Sequence, residues 1–254
     1  MRKAVRLLAP LAVAAVPLAL APGASFASGG STYQTTLNPL NNQSGSGMAT
    51  VQLHGNSATV TVDYTGLATT FKGGPFPHVQ HIHIDGRGQC PTMADDKSGD
   101  GVISTPEGQP DYGAIGTTLS TKGSTSASQG TNIKVAPAGG SASYHRTFKL
   151  NSKSLQSVRN GTGVIVVHGL DPATMPKKAQ TEKSPLVPSL PLAATAPALC
   201  GALSTMPAGG VATGNGSTAG IEDAGLLGLG GGLLAAGTGV ALYSVRRRRN
   251  NAAA

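Results

Sequence analysis

The chain has 254 residues, with 39% hydrophobic and only 4% aromatic side chains, two cysteines and a formal net charge of +8. That charge sits at the ends. Of the 19 Lys+Arg, three lie in the first six residues and four at Arg246 to Arg249, which leaves 12 against 11 Asp+Glu between them. A near-neutral body excludes a nucleic-acid partner as the reason for the basic balance.

Residues 1–27 read as an export signal, with Arg2, Lys3 and Arg6 ahead of an apolar run from Leu7 to about Leu20. Ser25-Phe26-Ala27 then puts small residues at the two cleavage positions, and Pro10 and Pro17 argue against a span. Residues 28–204 read as one β domain. Short alternating runs follow one another at 32–37, 48–55, 58–67, 79–84, 115–120, 143–150 and 163–170, punctuated by Gly, Pro and Asn. Asn56-Ser57 is expected as the hairpin turn between the second and third runs. No amphipathic helix of 12 residues is evident, so the pattern predicts an all-β antiparallel sandwich or barrel. The proline-rich stretch 171–198 reads as irregular chain.

His81 and His83 fall in the fourth run and His78 just before it, in "HVQHIHIDGRGQC". Period two puts His81 and His83 on one strand face, roughly 6.6 Å apart along the backbone. A third ligand would come from a neighbouring strand, and His168 closes the run "VIVVH". From the residues alone this is either a metal site or a polar strand with satisfied histidines. Three imidazoles suit copper, zinc, iron or nickel. His54 and His145 have no matched partner and read as surface or core. Cys90 and Cys200 are the two cysteines, and an even count in an exported chain implies a disulfide. Closing a loop of that size is worth about 4.7 kcal/mol in the chain-entropy model.

"DKSGDGVISTPE" matches the 12-residue calcium loop: Asp96, Ser98 and Asp100 at positions 1, 3 and 5, Gly101 at 6, the Val102 carbonyl at 7, and Glu107 at 12. Alternating oxygens would wrap a hard cation, and the last glutamate would close the shell with both of its own. The flanks read as non-helical and Pro106 is unusual at its position, so calcium would brace the loop without opening a sensor. Beyond the domain, 205–223 reads as a Gly/Ala/Thr-rich stalk. Ala224 to Val245 is uncharged, about 33 Å long as a helix and enough to span a bilayer. The arginines that follow put the tail 246–254 in the cytoplasm and the domain outside. No Leu-Pro-x-Thr-Gly motif precedes the span, so a retained single-pass membrane anchor is expected.

"HVQHIHIDGRGQC", "VIVVHGLD" and "APALCGAL" together resemble the copper/zinc superoxide dismutases, in order and in spacing, over residues 45–203. The earlier portion also resembles the CHRD (chordin-type) domain. The resemblance implies a dismutase-like Greek-key fold, copper ligands at His81, His83 and His168, a structural role for His78 beneath the site, and cysteines in the family's disulfide positions. It also marks departures. Asp96 stands where the family's copper–zinc bridging histidine falls, and no histidine lies between His83 and His145, so no zinc site is expected. Pro197 replaces the arginine that guides superoxide. The expectation is therefore a cell-surface metal-binding β domain with copper and calcium as its cofactors, and a copper-only dismutase as the alternative. No protein partner is implied.

Overall fold

Alternating runs become strands wherever one face can be buried and the other left to water. The computed structural model describes residues 30–206. In chain order the strands are β1 (Ser31–Pro39), β2 (Ser46–His54), β3 (Ser57–Thr65), β4 (Thr70–Phe71), β5 (Gly74–Pro75), β6 (Gln80–Ile84), β7 (Ala114–Thr118), β8 (Ala142–Lys149), β9 (Val164–His168), β10 (Pro197–Ala202) and β11 (Ser204–Thr205). Three short helices intervene: α1 (Thr105–Tyr112), α2 (Ser152–Arg159) and α3 (Lys177–Gln180). Each run read from alternation overlaps a strand.

The main sheet runs β7-β6-β9-β10-β1-β2-β3-β8, with β11 also on β1 and β4-β5 apart as a small ribbon. Its pairs are antiparallel. Strand β1 joins the two halves: Ser31 to Leu37 pair with β2, and Asn38 and Pro39 pair with Cys200 and Leu199 of β10. The sheet curls there into a half-barrel, so that both halves face one core. Leu37, Val51, Leu53, Val60 and Val62 enter it from one side, and Ile82, Ile84, Ile165, Val167 and Leu199 from the other. Each such burial stabilises by roughly 1.5–3 kcal/mol. The outermost strands, β7 and β8, are linked by side chains instead of a ladder. Arg146 on β8 donates to the carbonyls of Ser120 and Gly123, both at 2.7 Å, and Asn151 Nδ2 donates to the Gly116 carbonyl at 2.9 Å.

Three features depart from the sequence reading. The β2–β3 turn is Gly55-Asn56, one residue early, because His54 pairs with Ser57 and Gly55 takes a φ of 62° that suits a glycine. Strand β10 starts in the last two residues of the stretch expected to be irregular, and five of its six residues are buried, so no alternation betrays it. The calcium-like loop is also followed by a helix. Ser104 caps α1, Pro106 sits in its first turn, and Glu107 closes a capping box, which explains a proline that looked out of place.

Among the described residues no helix is long and apolar enough to cross a membrane. The expected signal at 1–27, the span at 224–245, the tail at 246–254 and nearly all of the stalk lie outside the described residues. The last ladder contact is Met206 N to the Thr32 carbonyl, at 2.8 Å.

Candidate metal centre

All five residues of β6 are buried, because its two faces meet different layers. Ile82 and Ile84 enter the main core, while His81 and His83 point to the opposite face. There they sit across from Val166 and Val164 of β9, and His168 lies two residues beyond Val166 on that same face. Register shifts occur at the site itself, between Ile82 and His83 against β7 and between Pro197 and Leu199 against β9. Such irregularities re-aim side chains beside functional sites. A second apolar cluster of Tyr112, Val164, Val166 and Cys200, backed by Leu40 and Cys90, seals the layer under the histidines. The Cys90–Cys200 disulfide lies in that cluster and ties the 85–113 segment to β10.

Each ring is held by one backbone carbonyl, and each carbonyl comes from a different covering segment. His81 Nε2 meets Gly130 O at 3.0 Å, His83 Nδ1 meets Gly113 O at 2.9 Å, and His168 Nδ1 meets Thr195 O at 2.7 Å. A carbonyl only accepts, so each of these nitrogens carries the proton and the tautomer is fixed. The other nitrogens are then bare lone pairs: His81 Nδ1, His83 Nε2 and His168 Nε2, all buried and all without a hydrogen-bond partner. The three rings offer ligand atoms within 4.8 Å of one another, and their centroids are 5.1 to 5.8 Å apart. Buried polar atoms are ordinarily paired, so three bare nitrogens on rings this close together fit a metal ion.

The electrostatics agree. Burial pushes His83 down to about 3, reinforced by His168 nearby, and pushes His168 down to about 4. His81 is held well below its usual range by burial first and by the other two rings second. Neutral imidazole is the form that ligates a metal. Tyr112 closes the far side with its ring edge-on to His83, centroids 4.6 Å apart, and its hydroxyl donates to Thr105 O at 2.8 Å.

His78 lies outside this cluster. Its Nδ1 is 2.9 Å from His168 O and its Nε2 is 2.9 Å from Ala68 O, so it ties the loop before β6 to the end of β9. Burial lowers its pKa while the two carbonyls raise it, and its ring stacks on Phe76 at 4.6 Å. His54 and His145 are exposed, the latter bonded through Nδ1 to Thr61 Oγ1 at 2.9 Å.

In the calcium-like loop the carboxylates are engaged with the loop itself. Asp96 accepts from Ser98 Oγ, Gly99 N and Gly101 N, and Asp100 accepts from Val102 N. Glu107 accepts from Lys97 N and Ser98 N on one oxygen, and from Ser104 N and Oγ on the other. Burial lifts Asp96 and Glu107, but these donors outweigh it and hold both carboxyls below their usual range. Among the described residues, His81, His83 and His168 are the group of histidine, cysteine and acidic side chains whose ligand atoms come together; Asp96, Asp100 and Glu107 do not form such a group.

The sequence reading picked out the three histidines that come together and missed what orients their rings. Gly113, Gly130 and Thr195 act through their carbonyls, which leave no mark in side-chain identity. Asp111 was missed too: it is buried, accepts from Arg87 Nε at 2.9 Å and Gln89 Nε2 at 2.6 Å, and anchors the start of the 85–113 segment to its end. A search of protein-family models finds no match to the chain, and a search of curated proteins finds none either.

Proposed function

We propose that this is an exported, membrane-tethered β domain whose His81, His83 and His168 bind one transition-metal ion, with copper the ion selected by the resemblance to the copper/zinc superoxide dismutases. The observation that carries the reading is the set of three buried, unpartnered ring nitrogens with tautomers fixed by Gly130, Gly113 and Thr195. Copper bound there supplies one-electron redox chemistry. The chain's own part is to keep the rings neutral, aim their lone pairs and bury the site in an apolar layer sealed by the disulfide. The Greek-key, dismutase-like or CHRD assignment of the curled sheet belongs to the same proposal. Copper titration of the purified protein tests it: one ion per chain is expected for the wild type and none held tightly by His81→Ala. Equal binding in both removes the reading.

A second reading, a copper-only dismutase at the cell surface, is favoured by the ligand set. Asp96 and Pro197, in place of the bridging histidine and the guiding arginine, weigh against it. Superoxide removal by the copper-loaded protein, absent in His81→Ala, would establish it; equal rates in both would end it. Calcium in the 96–107 loop rests on the spacing of Asp96, Ser98, Asp100 and Glu107, the alternating oxygens that a hard cation takes. A melting temperature that rises with calcium in the wild type and not in Glu107→Ala supports calcium binding; equal shifts in both remove it.

A further inference from the structure

The carbonyl that orients His168 is itself pinned. Thr195 O accepts from His168 Nδ1 at 2.7 Å and, on its other lone pair, from the Thr105 hydroxyl at 2.6 Å. Thr195 follows a 3-10 turn, Leu192–Ala194, and precedes β10, so it lies outside both the turn and the ladder. Thr105 is buried and is the first residue of α1. Its carbonyl accepts from the hydroxyl of Tyr112, the last residue of α1, at 2.8 Å. Tyr112 is fully buried, with its ring edge-on to His83 at 4.6 Å between centroids, and the next carbonyl, Gly113 O, accepts from His83 Nδ1 at 2.9 Å. Gly108 makes room for the tyrosine: a Cβ there would stand 2.5 Å from Cε1 of the Tyr112 ring and 2.9 Å from its hydroxyl. One helix of eight residues, about 12 Å long, thus reaches the supports of two of the three rings. The third, His81, is served from another segment through Gly130.

We propose that Thr105 is a positioning residue of the triad: through the Thr195 carbonyl it fixes how His168 presents Nε2, and with Gly113 it makes α1 the brace that holds His83 and His168 as a pair. The inference rests on the reading of the triad as a metal centre. A carbonyl pinned by two donors keeps its direction, and the His168 proton stays on Nδ1 while Nε2 remains a bare lone pair. With the hydroxyl removed, the carbonyl is free to turn, and the ring gains access to the other tautomer, whose Nε2–H cannot ligate.

The test compares the wild type with Thr105→Val, which keeps the shape and drops the donor, with Thr105→Ser, which keeps the donor, and with Tyr112→Phe, which keeps the ring on His83 and drops the hydroxyl that holds Thr105. Two quantities are read: the ring tautomers of the metal-free protein, from histidine 15N chemical shifts, and copper affinity, by competition with a chelator. In Thr105→Val the Nε2–H tautomer should appear at His168, and copper affinity should fall about tenfold, the lower end of the range for losing an outer partner of a metal ligand. His81 should keep its wild-type signals, and Thr105→Ser should return both readings to wild-type behaviour. Tyr112→Phe should change both in the same direction by less, so that arm stands if the valine disturbs folding. His168 signals and copper affinity unchanged in Thr105→Val, or in Tyr112→Phe where the valine variant does not fold, overturn the proposal. So does a change that spreads equally to His81 or that Thr105→Ser fails to reverse, because either marks lost packing. Wild type that takes up no copper overturns the metal reading, and the proposal with it, before any variant is made.

Discussion

The triad and the 96–107 loop both looked like metal sites, and the structure separates them by how their ligand atoms are spent. In the triad each imidazole uses one nitrogen on a carbonyl and leaves the other bare and buried. In the loop the carboxylates of Asp96 and Glu107 already take amide protons from the loop that carries them. A buried atom without a partner costs free energy that a ligand can recover. A carboxylate already bonded to its own turn can serve as a structural cap with no ion at all. Residue type and spacing were equally suggestive in the two regions; the accounting of donors and acceptors was not.

Several experiments would break or sharpen that contrast, and removing a ligand has the largest expected effect. His83→Ala or His168→Ala should lower copper affinity by more than about 100-fold, since even losing an outer partner of a metal ligand costs 10–100-fold. Competition with a chromophoric chelator measures this. Reducing the Cys90–Cys200 disulfide comes next: chemical denaturation should show a loss of about 2–5 kcal/mol. Copper affinity should fall with it, because the 85–113 segment carries the Gly113 carbonyl that aims His83.

Acid should destabilise the metal-free protein. The unfolded histidines take protons below about 6.5 while His83 and His168 resist until about 3 and 4. Their contribution is therefore fully present above pH 6.5 and is lost as pH falls through that window. Each contributes a slope of roughly 1.4 kcal/mol per pH unit. Denaturation midpoints between pH 7 and pH 4 should fall accordingly, and bound copper should move the onset lower. The smallest effect is expected from Glu107→Ala, which removes the capping box of α1 and costs about 1 kcal/mol. It should leave copper affinity within twofold of wild type. A large loss there would couple the two regions and dissolve the contrast.

Much of this architecture was legible because β strands with one wet face alternate visibly. Thr59 and Thr61 facing out while Val60 and Val62 face in is the signal in its plainest form. The signal fails where both faces are buried, as in β10, whose Pro-Ala-Leu-Cys-Gly-Ala carries no alternation. It fails again at α1, where Ser104-Thr105-Pro106-Glu107 spells a helix start at the end of the stretch that matches a calcium loop. One glutamate three residues after a serine satisfies both descriptions at once. At the site, His81, His83 and His168 followed from period two and a neighbouring strand. The carbonyls that orient them come from Gly113 at the end of α1 and from segments 119–138 and 171–196, and a backbone carbonyl leaves no trace in side-chain identity.

X-ray absorption at the copper edge of the loaded protein tests the central claim most directly. The account predicts three imidazole nitrogens at about 2.0–2.1 Å from a single ion, with one fewer in His81→Ala. A shell dominated by oxygen, or one unchanged by removing His81, would contradict it.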